Sequence, residues 1–415
     1  MNIIRKLGFA LALAGAPAAL DSALAEDGTI SIGVVSIFEG PFTVQGQDTL
    51  RGVEVAVKEF GGTVAGKKIK LVVGSSDSTP DSAVRATRKL VEQDGVEFVI
   101  GPLSGDEGIA VKNYAATKPN VTFLNGTSGA QETTMRDPAP NFFRFGTDGA
   151  QWMAGLGRYA YDNKGYRKVA VVAEDYSFPY TQVFGFMSEF CAAGGKVPEK
   201  FWVPIGTKDY SSVIAAMPDD IDAVFVDLGG ADSVNFLTQY LQSGGSAPLV
   251  GGTVTVDQTV LTAKGRIRDV LIGTPSAGPL ADSLDTPAWN AFVTAYKAQP
   301  DAFPTPSLFA HGYYLNAKAL LLALDMIGGE PGDGGAKLRS ELARTTFDGP
   351  TGRVSLDENR NAIADIFLTE VAENQDGTLY NKLVKVVPQV NQKLGFTPEA
   401  FAAFGAVSRE NPSCQ

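Results

Sequence analysis

Two neighbouring stretches concentrate the residues that could grip a small molecule. Phe98-Val-Ile-Gly-Pro-Leu-Ser-Gly105 and Val121-Thr-Phe-Leu-Asn-Gly-Thr-Ser-Gly129 each run from apolar residues into a loop of Gly, Ser and Thr. Glycines let a ligand approach the backbone, and hydroxyls with free N–H groups hydrogen-bond an anionic head group. The same composition also suits ordinary strand-to-helix turns. Catalytic arrangements are poorly supplied. Gly126-Thr-Ser-Gly-Ala130 is one residue short of the G-x-S-x-G nucleophile elbow, with Ser128 as its serine, and His311 lies downstream as a hydrolase order requires. That histidine is the only one in the chain and sits at helical spacing from Leu308 and Leu315, which argues against a serine hydrolase. One His and two distant Cys serve zinc badly, and no P-loop motif is present. Neither a metal nor a cofactor is expected.

The elements that must carry these loops follow a regular rhythm. Thr29 to Ser36 is a β-branched run of the kind found in buried parallel strands, and it ends in a Gly/Pro loop, Ile37 to Gly46, that includes Phe42 and Gln45. Leu50, Val53, Val57 and Phe60 then mark a helix that Gly61-Gly62 stop. Lys67 to Val73 is a strand, and Thr79 caps a helix with Pro80 in its first turn. With the two opening stretches this makes a doubly wound α/β series. A second series begins after residue 148. Its strands are Lys168 to Ala173, Asp222 to Asp227, Pro248 to Val250 and Val270 to Ile272, the first three followed by Glu174 to Tyr180, Gly229-Gly230 and Gly251-Gly252. Helices starting at Thr286-Pro287 and Thr305-Pro306 come next. Strands Gly352 to Leu356, Ala364 to Val371 and Leu379 to Val387 close the chain, with Asp376-Gly377 as a hairpin turn.

At 415 residues two domains are the default, and 44% hydrophobic content with no low-complexity tract is that of a globular protein. A formal charge of −11 argues against nucleic acid or an anionic membrane surface as partner. Arg5 and Lys6 precede the apolar run Leu7 to Leu20, and Ala23-Leu24-Ala25 is an A-x-A-like site, so residues 1–25 read as a secretory signal peptide cut after Ala25. In an oxidising compartment Cys191 and Cys414 could pair or remain free thiols, and their count leaves both open.

The ordered set Gly40-Pro41, Gln45-Gly46, Arg51-Gly52-Val-Glu-Val-Ala-Val57, Ala83 to Leu90, Val99-Ile-Gly-Pro-Leu-Ser104 and Phe143-Arg144 resembles the periplasmic branched-chain amino-acid binding protein family, solute receptors of ABC importers. The resemblance implies a type I periplasmic binding fold: two doubly wound parallel-sheet lobes joined by a three-strand hinge, with the ligand in the cleft between them. The lobes would comprise 26–145 plus 276–349 and 146–275 plus 350–415. By position, Ser104, Gly105, Thr127, Ser128 and Gly129 fall where the family holds the ligand's carboxylate, Tyr176 where an aromatic ring covers it, and Phe42 and Gln45 at the side-chain pocket. Where amino-acid binders of this family carry an acidic partner for the α-ammonium, this chain has Thr253. Either Asp232 replaces that partner or the ligand has no ammonium. The implied function is capture of an amino acid of branched-chain type and delivery to an ABC permease in the inner membrane, by a periplasmic monomer. An aromatic or other organic acid is the alternative ligand, and an extracytoplasmic sensor is the alternative role.

Overall fold

The computed structural model describes residues 28–414. The proposed signal segment, with its cut after Ala25, lies outside the described residues.

Two sheets organise the molecule. The first contains β1 (Thr29–Ile37), β2 (Thr63–Val64), β3 (Lys67–Ser76), β4 (Phe98–Ile100), β5 (Thr122–Leu124) and β6 (Phe142–Phe143) in the order β2-β3-β1-β4-β5-β6. All neighbours are parallel except β2 with β3. The second begins with β7 (Val169–Glu174), β8 (Lys200–Val203), β9 (Ala223–Asp227), β10 (Leu249–Gly251) and β11 (Pro275–Gly278), which lie parallel in the order β8-β7-β9-β10-β11. β12 (Phe347–Gly349), β13 (Gly352–Leu356), β14 (Ala362–Glu373) and β15 (Leu379–Val390) extend it antiparallel beyond β11. β1 is flanked by β3 and β4, and β7 by β8 and β9, so the winding reverses beside β1 and beside β7. Crevices for ligands open at the carboxyl ends of strands at such reversals.

β1, β7 and β9 are buried nearly throughout, which explains their continuous β-branched and aliphatic runs, whereas β3 and β8 are largely part-exposed. Helix Thr43–Glu59 packs on helix Leu308–Met326 so closely that a Cβ on Gly52 would lie 2.0 Å from the Ala310 carbonyl oxygen. Only glycine permits that approach.

Three local expectations are corrected. Val270 to Ile272 is not a strand: Ile267–Leu271 is a short helix that buries Ile267 and Leu271, and the strand of this region is β11. A three-residue apolar run is too short for periodicity to tell helix from strand. The first helix begins at Thr43, inside the expected loop, and Ser307 rather than Thr305 caps the long helix, its Oγ accepting from the Phe309 and Ala310 N–H groups.

Cys191 and Cys414 form a disulfide with a Cα–Cα distance of 5.9 Å. It fastens a C-terminal tail along β8, the edge strand of the second sheet. Trp202 Nε1 donates to the Arg409 carbonyl (3.1 Å), Lys200 Nζ to the Glu410 and Pro412 carbonyls (2.9 and 2.8 Å), and Val197 N to Cys414 O (2.7 Å). Arg409 also pairs with Asp175, the neighbour of Tyr176.

Candidate functional site

A narrow cleft, with about 370 Å³ of empty space that includes its opening to solvent, lies between the two sheets. Its walls are the segments that leave the strand tips at the two reversals. Phe42 and Gln45 follow β1, Leu103 and Ser104 follow β4, and Thr127 follows β5. From the other side come Tyr176 and Phe178 after β7, Gly229 after β9 and Val254 after β10, and Trp152, Leu308 and Phe309 complete the lining. Five aromatic side chains therefore surround it, and no Lys or Arg lines it.

The polar grip sits at one end. Ser104 is the N-cap residue of helix Gly105–Ala116, in a capping box with Glu107, and its Oγ is buried. Its own N–H is taken by Glu107 Oε2 at 3.0 Å, while Ser76 Oγ donates to Glu107 Oε1 at 2.6 Å. The helix thus presents the Ser104 hydroxyl and the positive end of its dipole to the cleft. A carboxylate could be held there by neutral donors alone.

Burial pushes the Glu107 carboxyl up from its ordinary 4.5 to about 7, against the opposing effect of its hydrogen bonds. Because the folded-state value lies above the unfolded one, the folded chain keeps a proton that the unfolded chain loses. The associated stability is complete below about pH 4.5 and is lost as pH rises to about 7. Asp257, which accepts from Leu308 N–H at 2.9 Å, is raised to about 7 by burial and adds a loss of the same sign. The melting temperature is therefore expected to fall between pH 5 and 7, and Glu107→Gln to flatten part of that slope. An identical slope in the variant would remove Glu107 from this account.

Five of the residues expected from sequence line the cleft: Phe42, Gln45, Ser104, Thr127 and Tyr176. The others lie behind it. Gly105 abuts Ser177 and Phe178 of the opposite wall, and Gly129 lies against the Phe178 ring. Ser128 Oγ donates to the Gly105 carbonyl at 3.5 Å, and its own carbonyl accepts from Asn125 and Arg144. Thr253 is engaged by Gln182 through both its N–H and its hydroxyl, and its hydroxyl donates to Ala277 O. Asp232 is neither in the lining nor an N-cap. It lies in the first turn of helix Gly230–Gln242, whose N-cap is Gly229, and Oδ2 accepts from Gly206 N–H at 2.6 Å. His311 is likewise turned away: Nε2 meets Thr351 Oγ1 at 3.1 Å, and burial pushes the imidazole down to about 3. Ser128 and His311 share no hydrogen bond, so the hydrolase pair is not assembled.

Sequence reasoning missed a group of buried acids behind Tyr176 and Gly229. Glu174 ends β7 and Asp227 ends β9. Glu174 Oε1 accepts from Gly229 N–H at 3.1 Å, but Oε2 is unpartnered, as are Asp232 Oδ1 and both oxygens of Asp227. Burial raises all three carboxyls, Glu174 and Asp227 well above the usual range, with mutual repulsion adding to the effect at Glu174. No ion pair to a Lys or Arg offsets it among the described residues. Their geometry does not suit a metal: no group of His, Cys, Asp and Glu that could hold one occurs among the described residues. The missed wall residues Trp152 and Phe309 carry no local signal, since one follows β6 and the other opens a helix of apolar core residues.

Comparison with known proteins matches residues 29–378 to the periplasmic binding protein family. Leu/Ile/Val-binding protein homolog 6 of Brucella melitensis is 26% identical over 86% of this chain and 91% of its own length. Among solved structures, an ABC transporter substrate-binding protein from Sphaerobacter thermophilus superposes with a TM-score of 0.78 at 30% identity, covering 88% of this chain and 99% of that one. A solute binding protein of an ABC transporter from Rhodopseudomonas palustris BisB5, in complex with 3,4-dihydroxy benzoic acid, gives 0.80 at 26% identity over 88% and 99%.

Proposed function

This chain belongs to the periplasmic binding protein family, the solute receptors of ABC transporters, and from that premise we propose that it captures an amino acid with an apolar side chain and hands it unchanged to an inner-membrane permease. Family membership implies a periplasmic location. We read residues 1–25 as the export signal and 26–145 plus 276–349 and 146–275 plus 350–415 as the two lobes of a monomer that shuts on its ligand. Ser104 Oγ, Thr127 and the N-terminus of helix Gly105–Ala116 would take the carboxylate, and the rings of Phe42, Tyr176 and Phe178 the side chain.

The observation that carries the amino-acid reading is the set of buried carboxyls at the tips of β7 and β9 that lack a cation. An arriving ammonium would let Glu174 ionise and would relieve the cost of burying it without a counter-charge. Glu174 thereby takes the part that the sequence reading offered to Asp232. A second reading, an aromatic acid, draws on the five rings of the lining and on the Rhodopseudomonas relative.

Calorimetric titration with L-isoleucine, L-leucine and L-valine against benzoate and 4-hydroxybenzoate separates the two. Isoleucine is expected to bind, and Ser104→Ala to weaken it by about 10- to 100-fold, the worth of a hydrogen bond to a charged group. Glu174→Gln should weaken amino acids and spare benzoates. Binding of 4-hydroxybenzoate alone would transfer the proposal to the second reading.

A further inference from the structure

The walls of the cleft meet at one further point, where the N-termini of two helices from opposite lobes come together. Helix Gly105–Ala116 carries Asp106 in its first turn. Helix Ser177–Phe190 is preceded by Tyr176, whose side chain makes no cap. Its cap comes from across the cleft: Asp106 Oδ1 accepts from the Ser177 N–H at 3.1 Å. Asp106 makes no ion pair among the described residues and does not line the cavity. Two helix N-termini brought together are like partial charges, and an anion placed between them turns repulsion into attraction.

We infer that Asp106 is an interlobe latch, a positioning residue whose carboxylate caps the helix of the opposite lobe only when the cleft is shut and so sets how long a ligand is held without touching it. The inference rests on the reading that the lobes close around a ligand. It differs from the ligand grip in that nothing in it depends on which molecule is captured. Opening the cleft strands the Ser177 N–H and separates the carboxylate from one of its two helix ends. Closing restores both.

The test compares wild type, Asp106→Ala and Asp106→Asn. Asparagine caps a helix about as well as aspartate, whereas alanine does not. Small-angle scattering of the ligand-free proteins is expected to show a larger radius of gyration for D106A, with D106N at the wild-type value and all three melting at the same temperature. In stopped-flow release of L-isoleucine, D106A is expected to dissociate about fivefold faster, the fold-change that corresponds to one helix cap. Equal radii in all three proteins would overturn the latch, and so would a lowered melting temperature for D106A at unchanged radius. If wild type fails to bind isoleucine, the ligand assignment falls and the scattering comparison still decides this inference.

Discussion

Gly105→Ala is expected to weaken ligand capture by about 10- to 100-fold while leaving the empty protein at least as stable as wild type. A methyl group at this position would lie 2.6 Å from Ser177 Oγ, 2.8 Å from the Phe178 nitrogen and 3.0 Å from Phe178 Cβ. Two of these contacts are to the opposite wall's main chain and Cβ, which cannot swing aside as a long side chain would. Overpacking of this kind costs about 1–3 kcal/mol, and 1.4 kcal/mol is tenfold in affinity. On the proposed closure the cost falls on the shut form, in which Ser177 and Phe178 stand against this position. The substitution also reduces the freedom of the unfolded chain at a helical position, an effect of about 0.4–1 kcal/mol in favour of folding. Affinity and stability should therefore move in opposite directions, which a mutation that merely damages the fold cannot produce. Titration with L-isoleucine and a melting curve without ligand check the two halves. An unchanged dissociation constant would show that this contact is not made on capture.

Arg144→Met is expected to cost about 3–5 kcal/mol of folding stability, the range for breaking a buried charged network by removing one partner. Arg144 is fully buried, and its fork reaches three segments. One nitrogen donates to the Ser128 and Ala130 carbonyls (3.1 and 2.7 Å), a second to Thr134 Oγ1 (2.6 Å), and Nε to Asn361 Oδ1 (2.5 Å), with Asp148 at 3.5 Å. Burial lowers the guanidinium to about 10, with Asp148 and Asp357 pulling the other way, so it remains charged at neutral pH. Methionine fills much of the space but leaves these oxygens without a donor. Lysine should rescue only part of the loss, since a point charge cannot serve three directions at once. Urea unfolding followed by circular dichroism measures the effect. A loss below about 1 kcal/mol would mean that the loop from Ser128 to Thr134 holds its shape unaided.

The alternation of β-branched runs with helical spacings made the two series legible before any coordinates, because buried parallel strands must be apolar on both faces. Residue types located the loops after β4 and β5, family resemblance added Phe42, Gln45 and Tyr176 after β1 and β7, and Phe42, Gln45, Ser104, Thr127 and Tyr176 line one cleft. Side-chain direction was not legible. Thr253 is held by Gln182, a residue 71 positions away, and nothing near Thr253 in sequence announces that partner. Trp152 and Phe309 reach the cleft only because the crossover and the long helix pack as they do. Glu174 and Asp227 looked like the polar ends of strands, and their burial without a cation depends on how the loops after β7, β9 and β10 fold over them. The pairing of Cys191 with Cys414 likewise needed the tail's path, which two cysteines alone leave open.

That tail has a consequence for how copies of the protein behave toward each other. β8 is the outermost strand on one side of a nine-stranded sheet, and an uncovered margin of this kind recruits strands from neighbouring molecules. Here the segment from Arg409 to Cys414 occupies the flank, bonded to Trp202 and Lys200 and riveted through sulfur to the helix end at Cys191. A covalent bond thus holds in place the segment that stands between this margin and a neighbouring strand.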